Sequence, residues 1–166
     1  SFLLPEGRPF VVMLGGGHAS PLVRRARFVL CETERQKSRL VKPGLRFWRR
    51  PMPADRLAIL PKSLDLGLFR PLPKMEKRWD ILVACRLLSR LKNLEVLGPL
   101  SRRFRTAVAG TGPDGPRLRD KFKKVEWLGY VPYREMPRLI NQARLFMHTG
   151  VREDSPKTIT EAMACG

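Results

Sequence analysis

Short apolar runs alternate with amphipathic stretches along the second half of this chain. Four of these runs predict strands, at 81–86, 106–109, 125–128 and 145–148. The stretches that follow them predict helices, at 94–103, 117–123, 134–142 and 156–164. Alternation of short strands with helices is typical of a parallel α/β sheet. Right-handed crossovers place the carboxyl ends of such strands along one edge, where ligands bind.

The first part of the chain carries the same signals more sparsely. Apolar runs at 10–14, 27–31 and 57–60 predict three more strands, and the polar stretch 33–42 predicts a helix. The helix should end at Pro43 and Gly44, and three glycines at 15–17 allow the chain to turn freely. We therefore expect a second parallel α/β unit here.

Residues 71–77 are rich in proline and charge, which is typical of a hinge. The predicted domains are accordingly 1–72 and 73–166. The chain has 166 residues, begins at Ser1 and ends within a predicted helix. We expect an internal piece of a longer protein, in which both domains are incomplete.

The last fourteen residues carry the strongest chemical signal. A polar turn follows the strand predicted at 145–148 and leads into Ser155 and Pro156, a helix-start pair in which Ser can cap and Pro fits the first helical position. Gly166 stands where the helix should stop. A helix N-terminus after a strand offers free N–H groups to an anion. Glu153 and Glu161 bracket this site with seven residues between them.

This segment resembles the donor-binding signature of family-four GT-B glycosyltransferases. The resemblance implies two Rossmann-like parallel-sheet domains with the active site between them. It also implies that Glu153 faces the hydroxyls of the donor hexose and that Glu161 faces the nucleotide ribose. Ser155, Pro156 and Lys157 would lie against the diphosphate. Carboxylates accept hydrogen bonds from sugar hydroxyls, so the residue types suit these roles.

A second segment also resembles the family. Cys85-Arg86-Leu87, followed by Lys92-Asn93, is similar to its Gly-Arg-Leu…Lys-Gly/Asn pattern. The resemblance implies that Arg86 and Lys92 neutralise the diphosphate, whose negative charge grows as the glycosidic bond breaks. Arg90 is an alternative to Lys92, and Cys85 replaces the usual glycine.

Weaker matches lie elsewhere. The strand and turn at 125–131 resemble the part of the family fold beside the nucleobase, where backbone groups would contact the base. Asp65, Phe69 and Pro71 match a turn that follows the last strand of the family's first domain. Their alternative roles are purely structural: a turn residue, a core aromatic and a linker proline.

The residues 110–115 match the pattern G-x-G-x-x-G of dinucleotide-binding loops. Pro113 and Pro116 stiffen this loop, and the nearest acid that could hold a ribose, Glu126, lies inside a predicted strand. The resemblance explains the glycines better, and we expect Gly112 and Gly115 to serve a tight turn that needs positive φ. A nicotinamide-dependent oxidoreductase domain is nevertheless the first alternative function.

The net charge is +18, for which three explanations stay open. An arginine-rich composition of solvated surfaces is one. The second is an anionic membrane surface met by the basic–aromatic residues 45–50. Nucleic acid is the third, but the chain carries no zinc-finger spacing and no RNP-like motif, so we expect no nucleic-acid partner. A non-catalytic basic adaptor is therefore the second alternative function.

Cysteines, histidines and acids suggest no metal centre. Cys31, Cys85 and Cys165 are far apart and adjoin apolar stretches, which favours reduced thiols in a cytoplasmic protein. His148 follows a strand and is expected to be a buried, satisfied imidazole, while His18 could face the cleft. There is no Asp-x-Asp metal motif, and no apolar run has the roughly 20 residues that span a bilayer.

Together, the resemblance implies a retaining, metal-independent glycosyltransferase. It would move a hexose from a UDP- or GDP-linked sugar to a hydroxyl acceptor such as a glycolipid or polysaccharide, without a cofactor. The sequence assigns no catalytic residue. We also expect the chain alone not to turn over, because the cleft needs two complete domains, and we expect cytoplasmic localisation with peripheral membrane contact as an option.

Overall fold

The structure is a computed structural model, which describes residues 9–14, 23, 25–42, 51–151, 153 and 155–166. Within these ranges the chain forms two compact units. One comprises the described residues up to Ser63 together with Glu153 and Ser155, and the other comprises 64–151 and 156–166. The predicted glycine turn at 15–17, His18 and the basic–aromatic residues 45–50 lie outside the described residues.

The first unit contains three parallel strands in the order β1-β2-β3, namely Val11–Met13, Phe28–Cys31 and Leu57–Ile59. Helix α1, Glu34–Val41, follows β2. It begins after Thr33, whose hydroxyl accepts a hydrogen bond from the Gln36 N–H at 3.2 Å, as a capping residue should. A single core cluster packs α1 against this sheet through Val29, Leu40 and Leu57.

The second unit contains four parallel strands in the order β6-β5-β4-β7. In chain order they are β4 Trp79–Ala84, β5 Thr106–Ala109, β6 Glu126–Gly129 and β7 Ala143–Phe146. The helices between and after them are α2 Ser89–Lys92, α3 Leu97–Arg103, α4 Gly115–Lys121, α5 Met136–Asn141 and α6 Lys157–Cys165. Single 3₁₀ turns precede α3 at Leu94–Val96 and α5 at Tyr133–Glu135.

Both faces of the second sheet are covered, which explains the near-continuous apolar run of β4. Leu82 and Ala84 point to one face, where α5 and α6 contribute Ile140 and Cys165 to the core. Ile81 and Val83 point to the other face, where α3 and α4 contribute Leu97 and Leu118. The predicted α/β class with parallel sheets is confirmed.

The segment 64–71, predicted as the end of the first domain, packs in the second unit. The Asp65 carboxylate accepts hydrogen bonds from the N–H groups of Gly67 and Leu68, at 2.9 and 3.1 Å, and so stabilises a tight turn. Phe69 is only 1% exposed and belongs to the core beside β4. The structural roles expected for Asp65 and Phe69 are therefore observed.

Candidate functional site

A cleft of about 660 Å³ opens at the carboxyl edge of the second sheet. The ends of β4, β5 and β6 and the start of α6 supply its walls, as expected for a ligand site in a parallel sheet. Apolar surface prevails in its lining, and a few polar groups converge on it. Among the lining residues are Cys85, Arg86, Tyr130, Tyr133, Lys157 and Glu161.

Two loops form one wall of the cleft, and their backbones are in direct contact. The Leu87 N–H donates to the Thr111 carbonyl at 2.9 Å, and the Leu87 carbonyl accepts from the Asp114 N–H at 3.1 Å. Asp114 also accepts from the Ser89 N–H at 2.6 Å. The loops after β4 and β5 are thus joined by hydrogen bonds from both backbone and side chain.

Glycine is required where these loops touch. Gly110 has φ +136°, and a Cβ there would lie 1.9 Å from the Cys85 carbonyl oxygen. A Cβ at Gly112 would lie 2.4 Å from the Leu87 carbonyl oxygen. The expectation that Gly112 and Gly115 need positive φ is wrong, because of the three it is Gly110 that adopts it. Gly112 is needed for close backbone approach, a different reason for the same residue type.

Arg86 reaches the cleft as predicted. It follows the end of β4 by two residues, is exposed and lines the cleft wall. Lys92 lies six residues further on, at the end of the short helix α2, and is half-buried outside the lining. The structure thus places one of the two predicted diphosphate cations in the cleft.

Helix α6 begins one residue later than the sequence predicts. Pro156 is the N-cap, with φ −73° and ψ 113°, and Lys157 is the first helical residue. Ser155 does not cap the helix; its backbone carbonyl accepts a hydrogen bond from Lys62 at 2.7 Å. Pro156 is extended in ψ, so the helix cannot start before it. Gly166 ends the helix with φ +97°, as predicted.

Glu161 is the buried carboxylate of the cleft. It lies one turn into α6 and is 4% exposed. Burial raises the pKa of Glu161, and the Lys157 ammonium, 3.9 Å away, offsets part of that rise. A carboxylate held in this way can accept hydrogen bonds from two hydroxyl groups of a ligand, because each oxygen offers lone pairs to the cleft.

Lys157 lies between Glu161 and an aromatic ring. Its ammonium is 4.6 Å from the centroid of Tyr133, whose ring in turn packs on Phe69 with centroids 5.1 Å apart. Tyr133 and its neighbour Tyr130 both line the cleft, and the sequence analysis assigned neither a role. The sequence feature that could have indicated them is the turn after β6, where large aromatic residues follow the end of a strand.

The other residues predicted for the site do not all belong to the second unit. Glu153 is exposed and groups with the first unit, as does Ser155. The second unit by itself therefore brings together Arg86, Lys157 and Glu161, with Pro156 at the helix start. His148 follows β7 and is half-buried.

Among the described residues, no group of three or more His, Cys, Asp or Glu side chains could hold a metal ion. In the same part of the chain, no helix is long and apolar enough to cross a membrane.

Comparison with known proteins agrees with this architecture. A family model described as "Glycosyl transferases group 1" matches residues 79–166. No curated protein matches the chain. Among solved structures, the chain is similar to Anabaena HepE in complex with UDP, with a TM-score of 0.69 and 18% identity over 95% of this chain and 51% of HepE. It is also similar to the pneumococcal O-GlcNAc transferase GtfA in complex with UDP and GlcNAc.

GtfA gives a TM-score of 0.76 and 14% identity over 95% of this chain and 36% of GtfA. The chain is also similar to sucrose-phosphate synthase from Thermosynechococcus elongatus. The TM-score is 0.68 and the sequence identity is 16%, over 86% of this chain and 40% of the synthase. The chain thus spans about half the length of HepE and less of the other two. These similarities confirm the predicted GT-B-type fold.

Proposed function

This chain belongs to the glycosyl transferases of group 1, and we propose that it binds a nucleotide-diphosphate sugar, the donor from which a hexose is transferred to a hydroxyl acceptor. The observation that carries this proposal is the cleft of the second unit. There a buried carboxylate, two cations and a helix N-terminus meet at the carboxyl edge of a parallel sheet.

Arg86 and the start of α6 would bind the diphosphate. The first N–H groups of α6 have no partner within the helix, and the helix dipole favours negative charge at that end. Arg86 adds a fixed cation from the β4 side of the cleft. As the bond to the sugar breaks, negative charge accumulates on the leaving diphosphate, and these groups would stabilise it.

Glu161 would bind the ribose of the nucleotide. Its two carboxylate oxygens match a pair of vicinal hydroxyls, and its burial at the cleft wall strengthens such hydrogen bonds by excluding water. Glu153 would bind the hexose and Lys92 would add charge near the diphosphate; both roles rest on the resemblance alone.

Three finer features remain part of the proposal. The resemblance to family four supports retention of anomeric configuration. Protein cations at the diphosphate would take the role that a metal ion has in other glycosyltransferases. The acceptor would be a hydroxyl of a glycolipid, polysaccharide or similar molecule.

UDP is the first nucleotide to test, because HepE and GtfA are bound to it in the structures that this chain resembles. GDP is the second. Isothermal titration of the wild-type chain with each should show binding to one of them. Glu161→Ala should then weaken that binding about tenfold or more, since a hydrogen bond to a charged group contributes about 1.5–3 kcal/mol.

A matched control is Glu76→Ala, which removes an exposed carboxylate outside the cleft. It should bind as the wild type does. Equal affinity of wild type and Glu161→Ala would contradict the assignment of the ribose subsite.

The alternatives predict other outcomes of the same experiments. An oxidoreductase domain should bind NADH in preference to UDP or GDP, which ligand-observed NMR can compare directly. A basic adaptor should show steeply salt-dependent binding to anionic polymers or vesicles and no nucleotide binding. Either result would overturn the proposal.

Peripheral membrane contact at the cytoplasmic side is a separate part of the proposal. It depends on residues 45–50, which carry Arg46, Arg49 and Arg50 beside Phe47 and Trp48. Sedimentation with vesicles of anionic lipid should fall when Arg49 and Arg50 are both changed to Gln. An unchanged bound fraction would remove this contact from the proposal.

A further inference from the structure

An aromatic contact connects the core of the second unit with the cation at the start of α6. Phe69 is buried beside β4 and supports the ring of Tyr133 at a centroid distance of 5.1 Å and an interplanar angle of 53°. Tyr133 also contacts Lys157, whose ammonium lies 4.6 Å from the ring centroid. Lys157 in turn lies 3.9 Å from Glu161.

Backbone structure restrains Tyr133 as well. It begins the 3₁₀ turn Tyr133–Glu135, which Pro132 precedes with φ −57°. The Glu135 N–H closes the turn by donating to the Pro132 carbonyl at 2.9 Å, and the buried Met136 anchors its end. The turn therefore restrains the backbone of Tyr133 and Phe69 restrains its ring, although 42% of the residue is exposed.

A lysine side chain has four rotatable bonds, and fixing it costs conformational entropy. Tyr133 and Glu161 restrict Lys157, since the ring face and the carboxylate both attract the ammonium. Less conformational entropy of the Lys157 side chain is then lost when a ligand binds its ammonium. This arrangement suits a ligand that places an anionic group at the start of α6.

We propose that Tyr133 is a positioning residue of the donor cleft: its ring, supported by Phe69, holds the Lys157 ammonium at the start of α6 for the diphosphate of the bound nucleotide. This inference rests on the proposed function and extends it to a residue outside the recognised sequence motifs. Tyr133 acts through Lys157 and does not itself contact the diphosphate.

The test compares a nucleoside diphosphate with its own nucleoside. Titration calorimetry and ligand-observed NMR would measure UDP and uridine, or GDP and guanosine if the wild type prefers GDP. Tyr133→Leu removes the ring and should weaken the diphosphate about threefold to tenfold while leaving the nucleoside unchanged. Tyr133→Phe keeps the ring face and should restore wild-type affinity.

A double-mutant cycle separates positioning from packing. Tyr133→Leu should have no further effect on diphosphate affinity when Lys157 is already changed to Met, because the residue it positions is gone. A residue that only supports the fold would weaken binding equally with and without Lys157. Thermal unfolding of each variant verifies that the chain is folded at the temperature of the titrations.

The outcomes discriminate between the two proposals. Absence of UDP and GDP binding by the wild type contradicts the proposed function and this inference together. Wild-type binding that Tyr133→Leu leaves intact contradicts this inference alone. Equal loss of the diphosphate and the nucleoside, or additive effects with Lys157→Met, also overturns it, because Tyr133 would then contact the base or serve packing.

Discussion

The two edges of the second sheet use the same kinds of charged side chain in different ways. At the amino edge, Asp80 accepts from the Arg105 N–H at 2.9 Å and forms ion pairs with Arg105 and Arg144, both at 3.5 Å. Glu126 binds the Arg78 guanidinium at 2.5 Å and the indole N–H of Trp79 at 2.7 Å. The acids of this edge bind strands of the sheet to one another: Asp80 on β4 contacts β7 and the residue before β5, and Glu126 on β6 contacts the start of β4.

At the carboxyl edge the charges face a cleft instead. Arg86 is exposed there, and among the described residues no carboxylate is paired with it. Glu161 is buried, and the cation that contacts it within the described part of the chain is Lys157. Charge at the amino edge contributes to the fold, whereas charge at the carboxyl edge lines the cleft for which we propose a ligand. Substitutions at the two edges should therefore affect different measurements, and the following predictions test this.

The largest effect should come from the backbone of the carboxyl edge. Gly110→Ala combines a left-handed φ with a clash against the Cys85 carbonyl, and should cost about 3 kcal/mol or more of unfolding free energy. Gly129→Ala is the matched control, because its φ of +69° is strained but its Cβ would meet nothing within 4 Å. It should cost about 1–2 kcal/mol in chemical denaturation. Equal costs would show that the two loops can separate.

Removal of the arginine at the cleft should change binding without changing stability. Arg86→Met should weaken the nucleoside diphosphate about tenfold to a hundredfold, the usual contribution of a charge-assisted hydrogen bond. Arg144→Met removes the same charge at the amino edge and should leave affinity unchanged. Titration calorimetry and thermal unfolding of both variants measure this. A similar loss of affinity in both would mean that overall charge, rather than position, matters.

Trp79→Phe should show the reverse pattern. Trp79 is 3% exposed, and the substitution removes its hydrogen bond to Glu126 together with part of its packing. We expect a loss of about 1–3 kcal/mol in unfolding free energy and no change in nucleotide affinity. If affinity fell at constant stability, the amino edge would have a role in binding, and the comparison would fail.

The smallest effects should appear as opposite pH dependences. Burial raises the pKa of Glu161 above its ordinary 4.5, so its contribution to stability is complete below 4.5 and is lost as pH rises through the native value. Glu161→Gln should therefore gain stability relative to wild type as pH rises. The Arg105 backbone N–H, followed by its side chain, lowers the pKa of Asp80 below 3.8.

Asp80 therefore stabilises the fold above 3.8, and this contribution is lost as pH falls through its native value. Asp80→Asn should be less stable than wild type at neutral pH. The difference in unfolding free energy between the two should become smaller at acidic pH. Urea denaturation over a pH series, with each variant compared to the wild type, measures both slopes. Slopes of the same sign would contradict the contrast between the edges.

The sequence predicted the strands of the second unit well where both faces of the sheet are covered. The bounds of β5 were predicted as Thr106–Ala109, because the β-branched Thr106 and three apolar residues stand between Arg105 and Gly110. β7 lies two residues earlier than its predicted 145–148, since Arg144 and Leu145 are exposed and blur the apolar signal. The short helix α2 was not predicted, because four residues carry no periodicity.

The parts of the candidate site that depend on local backbone structure and charge could be predicted from the sequence. The spacing of Lys157 and Glu161 on one helix and the position of Arg86 after a strand could be read from the residues. The contribution of Tyr133 could not, since it depends on a ring-to-ring contact with Phe69, sixty-four residues earlier in the chain. Periodicity indicates which face of an element is buried, but not which side chains meet from distant turns.

The contact between the loops after β4 and β5 also has a practical consequence for enzyme engineering. Those loops interlock through glycines and shared hydrogen bonds, so random substitution there would mostly yield unfolded chains. The turn at 130–135 instead has exposed side chains beside the cleft, and the preceding Gly129 has open space around it. A mutant library aimed at a new nucleotide should be concentrated on that turn, with Tyr133 kept because its ring contacts Lys157.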